Sequence, residues 1–201
     1  MSVVRHLRPP SDTDAPDGRD ELFRLIKDRS FLAAAEGEEF TLASGAKSRW
    51  YFNLKPTMMN ARGNTLAARA FIDRLRGRAF DYIGGLEMGA VPIMGAVSAL
   101  SEVDGHPIET LFVRKEKKGH GAKKLVEGLA PSESLDGKRV IAIDDVATKG
   151  GSILQAVEAV RAEGAVVDTA LVLLDRDEGA AALLEAHGVR LESIFHKRDF
   201  V

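Results

Sequence analysis

The sequence predicts an α/β domain with a central parallel sheet flanked by helices, and three observations predict it. From residue 81 onward, short apolar runs alternate with stretches of helical period, the order that strand–helix–strand units impose. Val140, Ile141, Ala142 and Ile143 form an unbroken, largely β-branched run, as expected of a strand buried on both faces. A length of 201 residues suits one domain with a substantial core, or one domain with a small appendage, better than two full domains.

Taken in order, residues 1–18 carry Pro9, Pro10, Pro16 and Gly18 among small and acidic residues. They lack apolar period and read as a loose tail with no assigned function, followed by a single domain over residues 19–201. A helical pattern starts at Arg19, with Leu22, Phe23, Leu25, Ile26 and then Phe31 and Leu32 on one side, ending near Gly37. The segment FTLASGAKSRWYFN holds two β-rich runs around residues 44–47, which predicts a hairpin. Asn64 is a candidate cap for a helix reaching about Arg76, with Leu66, Ala70, Phe71 and Leu75 facing inward.

A strand over residues 81–86, a helix over 90–100 and a strand over 109–113 come next. After the Val140 strand, residues 152–163 repeat apolar side chains at Ile153, Leu154, Val157 and Val160 and stop at Gly164. A strand over 169–174, a helix over 179–187 and a strand over 191–195 complete the alternation.

Composition removes several classes of function. With 28 basic and 30 acidic side chains the net charge is −2, so no global field favours nucleic acid or an anionic membrane, and any anion site must be local. The absence of cysteine excludes disulfides, thiolate nucleophiles and cysteine-ligated metals. His6, His106, His120, His187 and His196 show no metal-binding spacing. No signal segment or bilayer-length apolar run occurs, and a cytoplasmic protein is the simplest expectation.

The most informative stretch is VIAIDDVATKGGS, residues 140–152. Asp144 and Asp145 are expected at the carboxyl end of the strand, where open α/β sheets bind ligands, and two acids there can hold hydroxyls or a cation. Residues 147–152 can turn backbone N–H groups toward an anion, because Gly150 and Gly151 permit positive φ and leave no Cβ in the way, and the next helix adds its positive end. Either half alone is commonplace as a solvated strand end or a helix cap. Their succession suits a phosphorylated sugar, with carboxylates for the diol and amides for the phosphate. Neither GxGxxG nor GxxxxGK[ST] competes for this reading.

The second feature is RKEKKGHGAKKLVEG, residues 114–128, with six Lys or Arg and two acids. A run of this kind in isolation is usually a solvated loop. This one leaves a strand end of the same sheet, is too polar to pack, and is placed to overhang Asp144 as a cationic lid that closes over a polyanion and opens to release product.

These residues resemble the type I phosphoribosyltransferases, whose signature is an apolar strand, an acidic pair and a loop ending in Gly-Gly-Ser. That resemblance implies the family's fold, with a small amino-terminal hood of about residues 19–60, a core of about 61–201 and a flexible catalytic loop. It implies phosphoribosyl pyrophosphate as donor, Asp144 and Asp145 on its ribose hydroxyls, Val146, Ala147, Thr148, Lys149, Gly150, Gly151 and Ser152 around its 5′-phosphate, and Mg²⁺ carried mainly by the donor's oxygens. Lys149 stands where a small or hydroxyl residue is more usual, a change that contacts through backbone amides tolerate.

Within that family the lid is similar to that of the orotate phosphoribosyltransferases. Arg114 and Lys115 match the first basic pair, Lys118 the catalytic lysine and His120 the lid histidine. The resemblance implies transfer to orotate and a homodimer in which each lid reaches the neighbouring site, with no nucleic-acid or membrane partner. Lys47 matches an active-site lysine of the family. Tyr51 and Phe52 match an aromatic pair beside the base, although such a pair taken alone is more often core. Thr148 and Arg176 match residues that approach orotate, and a planar guanidinium suits paired acceptors.

One departure stands out. In residues 84–92, GGLEMGAVP, Gly89 occupies a position where some orotate enzymes carry lysine, which shifts the burden of charge to Arg114, Lys115, Lys118 and Mg²⁺. The resemblance also implies that this loop can contain a strained non-proline cis peptide, as such loops in the wider family can, and the glycines here accommodate one. Two other readings are a phosphoribosyltransferase for a purine or other base, and a non-catalytic regulator that senses the same donor and binds nucleic acid. The lid and hairpin argue against the first, and the near-neutral charge against the second.

Overall fold

A computed structural model describes residues 18–41, 47–116 and 125–201. The amino-terminal elements are α1 (Gly18–Ser30), β1 (Phe31–Ala33), β2 (Phe40–Thr41), β3 (Lys47–Ser48), β4 (Trp50–Phe52) and α2 (Lys55–Met58). Helix α1 buries Leu22 and Ile26. It stops before Phe31 and Leu32, which belong to β1 and not to the helical face the sequence suggested. The reason is pairing: β1 runs antiparallel to β4, with Phe31 opposite Phe52 and Leu32 opposite Tyr51, and aromatic and branched side chains gain more from such cross-strand neighbours than from another helical turn. The expected hairpin forms between β2 and β3, with Phe40 opposite Ser48 and Thr41 opposite Lys47.

Helix α3 (Ala61–Leu75) presents Leu66, Phe71 and Leu75 to the core. Its cap is Asn60, whose side chain accepts from the Gly63 N–H, and not Asn64. Asn64 sits one turn inside the helix and its amide donates to the Pro92 carbonyl. Two asparagines four residues apart offer the same cap chemistry, and the extended backbone of Asn60 decides between them.

The core elements follow as β5 (Tyr82–Leu86), α4 (Ala90–Val103), β6 (Glu109–Val113), β7 (Val126–Glu127), β8 (Val140–Ala147), α5 (Gly151–Ala162), β9 (Thr169–Asp175), α6 (Ala180–Glu185) and β10 (Arg190–His196), with a 3₁₀ turn over Lys197–Asp199. The sheet order is β10-β9-β8-β5-β6-β7. All neighbours are parallel except β7, which returns antiparallel along β6. The sequence reading missed β7, having treated residues 114–128 as one polar loop. Val126 is buried, so the end of that segment packs although most of it is charged.

Alternation divides the core between the two faces of the sheet. Ile83, Ile141, Ile143, Leu171 and Leu173 meet α3 and α4 on one face, while Val140, Ala142, Ala170 and Val172 meet α5 and α6 on the other. From β5 the chain adds β6 on one side and then β8, β9 and β10 on the other, so strand order reverses between the parallel neighbours β5 and β8, and the crevice outside their carboxyl ends is where such sheets bind ligands.

A cluster of aromatic rings closes the far edge. Phe200, just beyond the 3₁₀ turn, stacks on Phe23 with centroids 4.6 Å apart and meets Phe52 at 5.4 Å and Phe195 at 5.9 Å. Arg19 lies 4.6 Å over the Phe195 ring. Truncating a buried ring leaves a cavity as well as losing its transfer free energy. Phe200→Ala is therefore expected to cost about 3 kcal/mol in urea unfolding, and a loss below about 1 kcal/mol would show that the cluster collapses around the gap.

Candidate functional site

Strand β8 continues through Ala147, beyond the end expected at Ile143. Asp144 therefore pairs within the ladder opposite Val172 and is only 6% exposed. Asp145 and Val146 are half-buried. The two acids are stitched along the backbone: Asp144 Oδ1 accepts from the Asp145 N–H at 2.9 Å, and Asp145 Oδ1 accepts from the Val146 N–H at 2.9 Å.

Burial pushes the Asp144 carboxyl well above the ordinary carboxylate range, and the charge of Asp145 pushes it further; the Asp145 N–H and the positive charge of Lys55 act against them. Lys55, at the start of α2, is a residue the sequence reading did not connect with this site. Nothing in its LKP context signals that the fold brings it toward the acids.

Gly89 explains how the acids can sit so close to the β5–α4 loop. A Cβ on Gly89 would lie 2.6 Å from Asp144 Oδ1 and 2.6 Å from Asp145 Oδ1, so any side chain there must displace the pair. The position that lacks the family's occasional lysine is thus filled by the carboxylates. The preceding Glu87–Met88 peptide is cis.

Past Ala147 the chain turns through Thr148, Lys149 and Gly150 into α5. Gly150, at φ +84°, caps the helix in the left-handed region and packs against Ala180, its Cβ position 3.2 Å from the Ala180 Cα. A side chain there would meet both a strained backbone and a neighbour. The first turn of α5 presents N–H groups that lack intrahelical acceptors, with the positive end of the helix behind them.

Residues 146–153 line a cavity of about 330 Å³ together with Asp144 and Arg176, within the roughly 300–1,000 Å³ span of small-molecule sites. A larger recess of about 450 Å³ lies at the opposite ends of the strands, around Arg78, Arg139 and Arg190. Those arginines are paired with Glu192 and Asp168, and the recess has no glycine loop or acid pair pointing into it.

Arg176 reaches the cavity from the turn after β9. It is 6% exposed, and its backbone N–H donates to the Ala147 carbonyl. Nη2 lies 2.8 Å from Glu178 Oε1 in an ion pair not aligned as a hydrogen bond, and Nε has no hydrogen-bond partner. A buried guanidinium with unspent donors is suited to a ligand that brings acceptors.

Of the remaining expected residues, Tyr51 is 38% exposed beside Phe40 while Phe52 is buried among Phe31 and Phe200. The alternation of β4 thus sends one ring of the expected pair outward and packs the other among aromatic neighbours. Lys47 is exposed on β3 and does not line the cavity.

Lys118 and His120 lie outside the described residues, whereas the stem of their segment is placed. Arg114 donates its N–H to the Leu125 carbonyl, the Lys115 N–H donates to Glu87 Oε1 at 2.9 Å, and the Lys115 carbonyl accepts from Gln155. Glu87 and Gln155, both missed in the sequence, tie the base of the basic segment to the β5–α4 loop and to α5. Their spacing from it carries no signal.

A parallel sheet with its ligand crevice at the reversal of strand order, an acid pair and an anion-cradling loop at the end of β8, and a basic segment leaving β6 on the far side of β5 define a nucleotide- or sugar-phosphate-handling transferase. The chain belongs to the phosphoribosyl transferase domain family, whose family model matches residues 59–193.

It is 49% identical to an orotate phosphoribosyltransferase of Bradyrhizobium sp. strain BTAi1 over 91% of this chain and 97% of that one. Among solved structures, it is similar to Mycobacterium tuberculosis H37Rv orotate phosphoribosyltransferase in complex with Fe(III) dicitrate, with a TM-score of 0.76 and 32% identity over 91% of this chain and 98% of that one. The same enzyme in complex with 5-phospho-α-D-ribosyl 1-diphosphate aligns with a TM-score of 0.72 and 30% identity, again over 91% and 98% of the two chains.

The raised Asp144 pKa has a consequence for stability. The folded chain holds this proton more tightly than the unfolded chain, so the contribution is complete below the ordinary value of 3.8 and is lost as pH rises through the raised folded value. Asp144→Asn keeps the shape without the charge. It is expected to be more stable than the native chain near pH 8 and to converge with it toward pH 4, as measured by urea midpoints. A variant less stable at pH 8 would show that ionised Asp144 is not the destabilising species.

Proposed function

We propose that this protein transfers the phosphoribosyl group from phosphoribosyl pyrophosphate to N1 of orotate, giving orotidine 5′-phosphate and pyrophosphate with inversion at the anomeric carbon, as a step of de novo pyrimidine synthesis. The observation that carries this reading is the meeting of Asp144, residues 146–152 and Arg176 in one cavity, in a chain 49% identical to a protein of that activity. A purine phosphoribosyltransferase and a donor-sensing regulator are less well supported, since relatives at 39–49% identity over nine-tenths of this chain carry the orotate name.

The residues divide the work by charge. As the C1–O bond breaks, the ribose becomes cation-like and pyrophosphate gains negative charge, so the site must stabilise both. Asp145 holds a ribose hydroxyl and favours the developing cation. Asp144, whose proton is retained to higher pH by burial, can donate to one ribose oxygen while accepting from its neighbour. Backbone N–H groups of residues 147–152 take the 5′-phosphate and fix the register of the sugar. Arg176 and Thr148 orient orotate, with Tyr51 and Lys47 approaching from the amino-terminal hood. Alignment of both reactants removes orientation entropy from the barrier.

Arg114, Lys115, Lys118 and His120 serve the leaving pyrophosphate. The lid's reach into the neighbouring subunit's site makes the functional unit a homodimer. Mg²⁺ would be carried mainly by the donor's own oxygens, since a hard cation takes oxygen ligands and uses few protein carboxylates. When bound with the donor it neutralises pyrophosphate charge. No helix among the described residues is long and apolar enough to cross a membrane, and we assign the activity to the cytoplasm.

Orotate consumption in the presence of phosphoribosyl pyrophosphate and Mg²⁺ tests the reaction. Lys118→Ala is expected to lower kcat by about 10²-fold or more with donor affinity largely kept. Unchanged turnover removes Lys118 from catalysis, and turnover with a purine in place of orotate overturns the choice of base. Mixing inactive Lys118→Ala with an inactive Asp144→Ala, Asp145→Ala chain is expected to restore part of the activity through hybrid dimers. No recovery would mean that each site is built from one subunit.

A further inference from the structure

The turn that carries Arg176 is held from outside the cavity by β10. Asp175 Oδ1 accepts from the Asp177 N–H at 2.9 Å and closes the turn. That closure puts Asp177 at φ +55°, the one non-glycine residue with positive φ among those described, a conformation that persists only where its surroundings over-determine it. The side chain of Asp177 is fixed in turn by His196, at the end of β10, with Nδ1 2.9 Å from Asp177 Oδ1. The far nitrogen of the same ring, Nε2, lies 3.0 Å from Ser193 Oγ.

An ionised carboxylate only accepts, so Nδ1–H donates to Asp177. Both ring nitrogens then have partners, which fixes the plane of the imidazole. Two further contacts lie beside this one: His196 donates its own N–H to Asp199 Oδ2, and the Lys197 side chain places Nζ 3.9 Å from Glu178 Oε1, the oxygen that faces Arg176.

We propose that His196 is a positioning residue for Arg176, setting the affinity for the acceptor base by fixing the 175–178 turn through Asp177. This rests on the assignment of Arg176 to orotate. The guanidinium is buried with Nε lacking a partner, and its line of approach to the cavity is decided by the turn's backbone. One face of that turn is tied to the phosphate loop by the bond from the Arg176 N–H to the Ala147 carbonyl. The other face is tied to β10 by His196. Loosening the second tie leaves the donor's pocket intact, since Asp144 and residues 146–152 make no contact with His196 through these bonds, while the arginine loses its register.

The experiment is steady-state kinetics of the full chain, with both substrates varied, on His196→Phe and His196→Asn, each alone and with Arg176→Ala. His196→Phe keeps a flat ring without the hydrogen bond. It is expected to raise the orotate KM about tenfold, with kcat and the donor KM within about twofold. His196→Asn places an amide donor near the Nδ1 position and is expected to restore most of the loss. In the Arg176→Ala background His196→Phe is expected to change nothing further, because the two act through one contact.

A His196→Phe variant with an unmoved orotate KM overturns the proposal, as does an equal rise in both KM values, failure of His196→Asn to rescue, or an undiminished effect in the Arg176→Ala background. An orotate KM unaltered by Arg176→Ala alone overturns the assignment of Arg176 and the proposal with it. A raised KM there beside an inert His196→Phe overturns the positioning role alone.

Discussion

The site depends on the contact between two carboxylates and a glycine. Asp144 and Asp145 project from β8 into space that a side chain on Gly89 would fill, and that approach is possible only because β5 and β8 are neighbours at the point where the order of the sheet reverses. The sheet thus supplies the crevice, the glycine supplies the clearance, and the acids occupy it. The cost appears in Asp144, whose carboxyl is forced toward its neutral form by burial and by its neighbour's charge. Strain of this kind is expected where function and stability compete.

Much of this was legible because it follows from local pattern. The unbroken run at Val140, the alternation of runs from residue 81 onward, and the Asp-Asp and Gly-Gly-Ser succession depend on residues close in sequence, and their elements form nearly where expected. Arg176 was found through its flanking acids and glycine by resemblance, and the fold brings it to the same cavity as the loop at Gly150.

The misses have a common physical cause. Phe31 and Leu32 continue an apolar helical face, yet pairing with β4 outweighs helix propensity. Asn60 and Asn64 are chemically equal, and backbone geometry chooses between them. Lys55, Glu87, Gln155 and His196 reach the site or its supports across long sequence separations, and only the packed chain reveals them.

Phe200 stacks on Phe23 and edges Phe52, so its ring is shared between the amino-terminal elements and the outermost strand of the sheet. During synthesis Phe23 leaves the ribosome well before the residues of β8, β9 and β10 that must assemble beneath it, and its principal ring partner emerges later still. Helix α1 packs mainly on α2 and α3, and β1 on β4, so these elements find most of their partners early, while the ring contacts of Phe23 and Phe31 to Phe200 form last. Those rings are the apolar surface a nascent chain has to shelter until the last strand is in place.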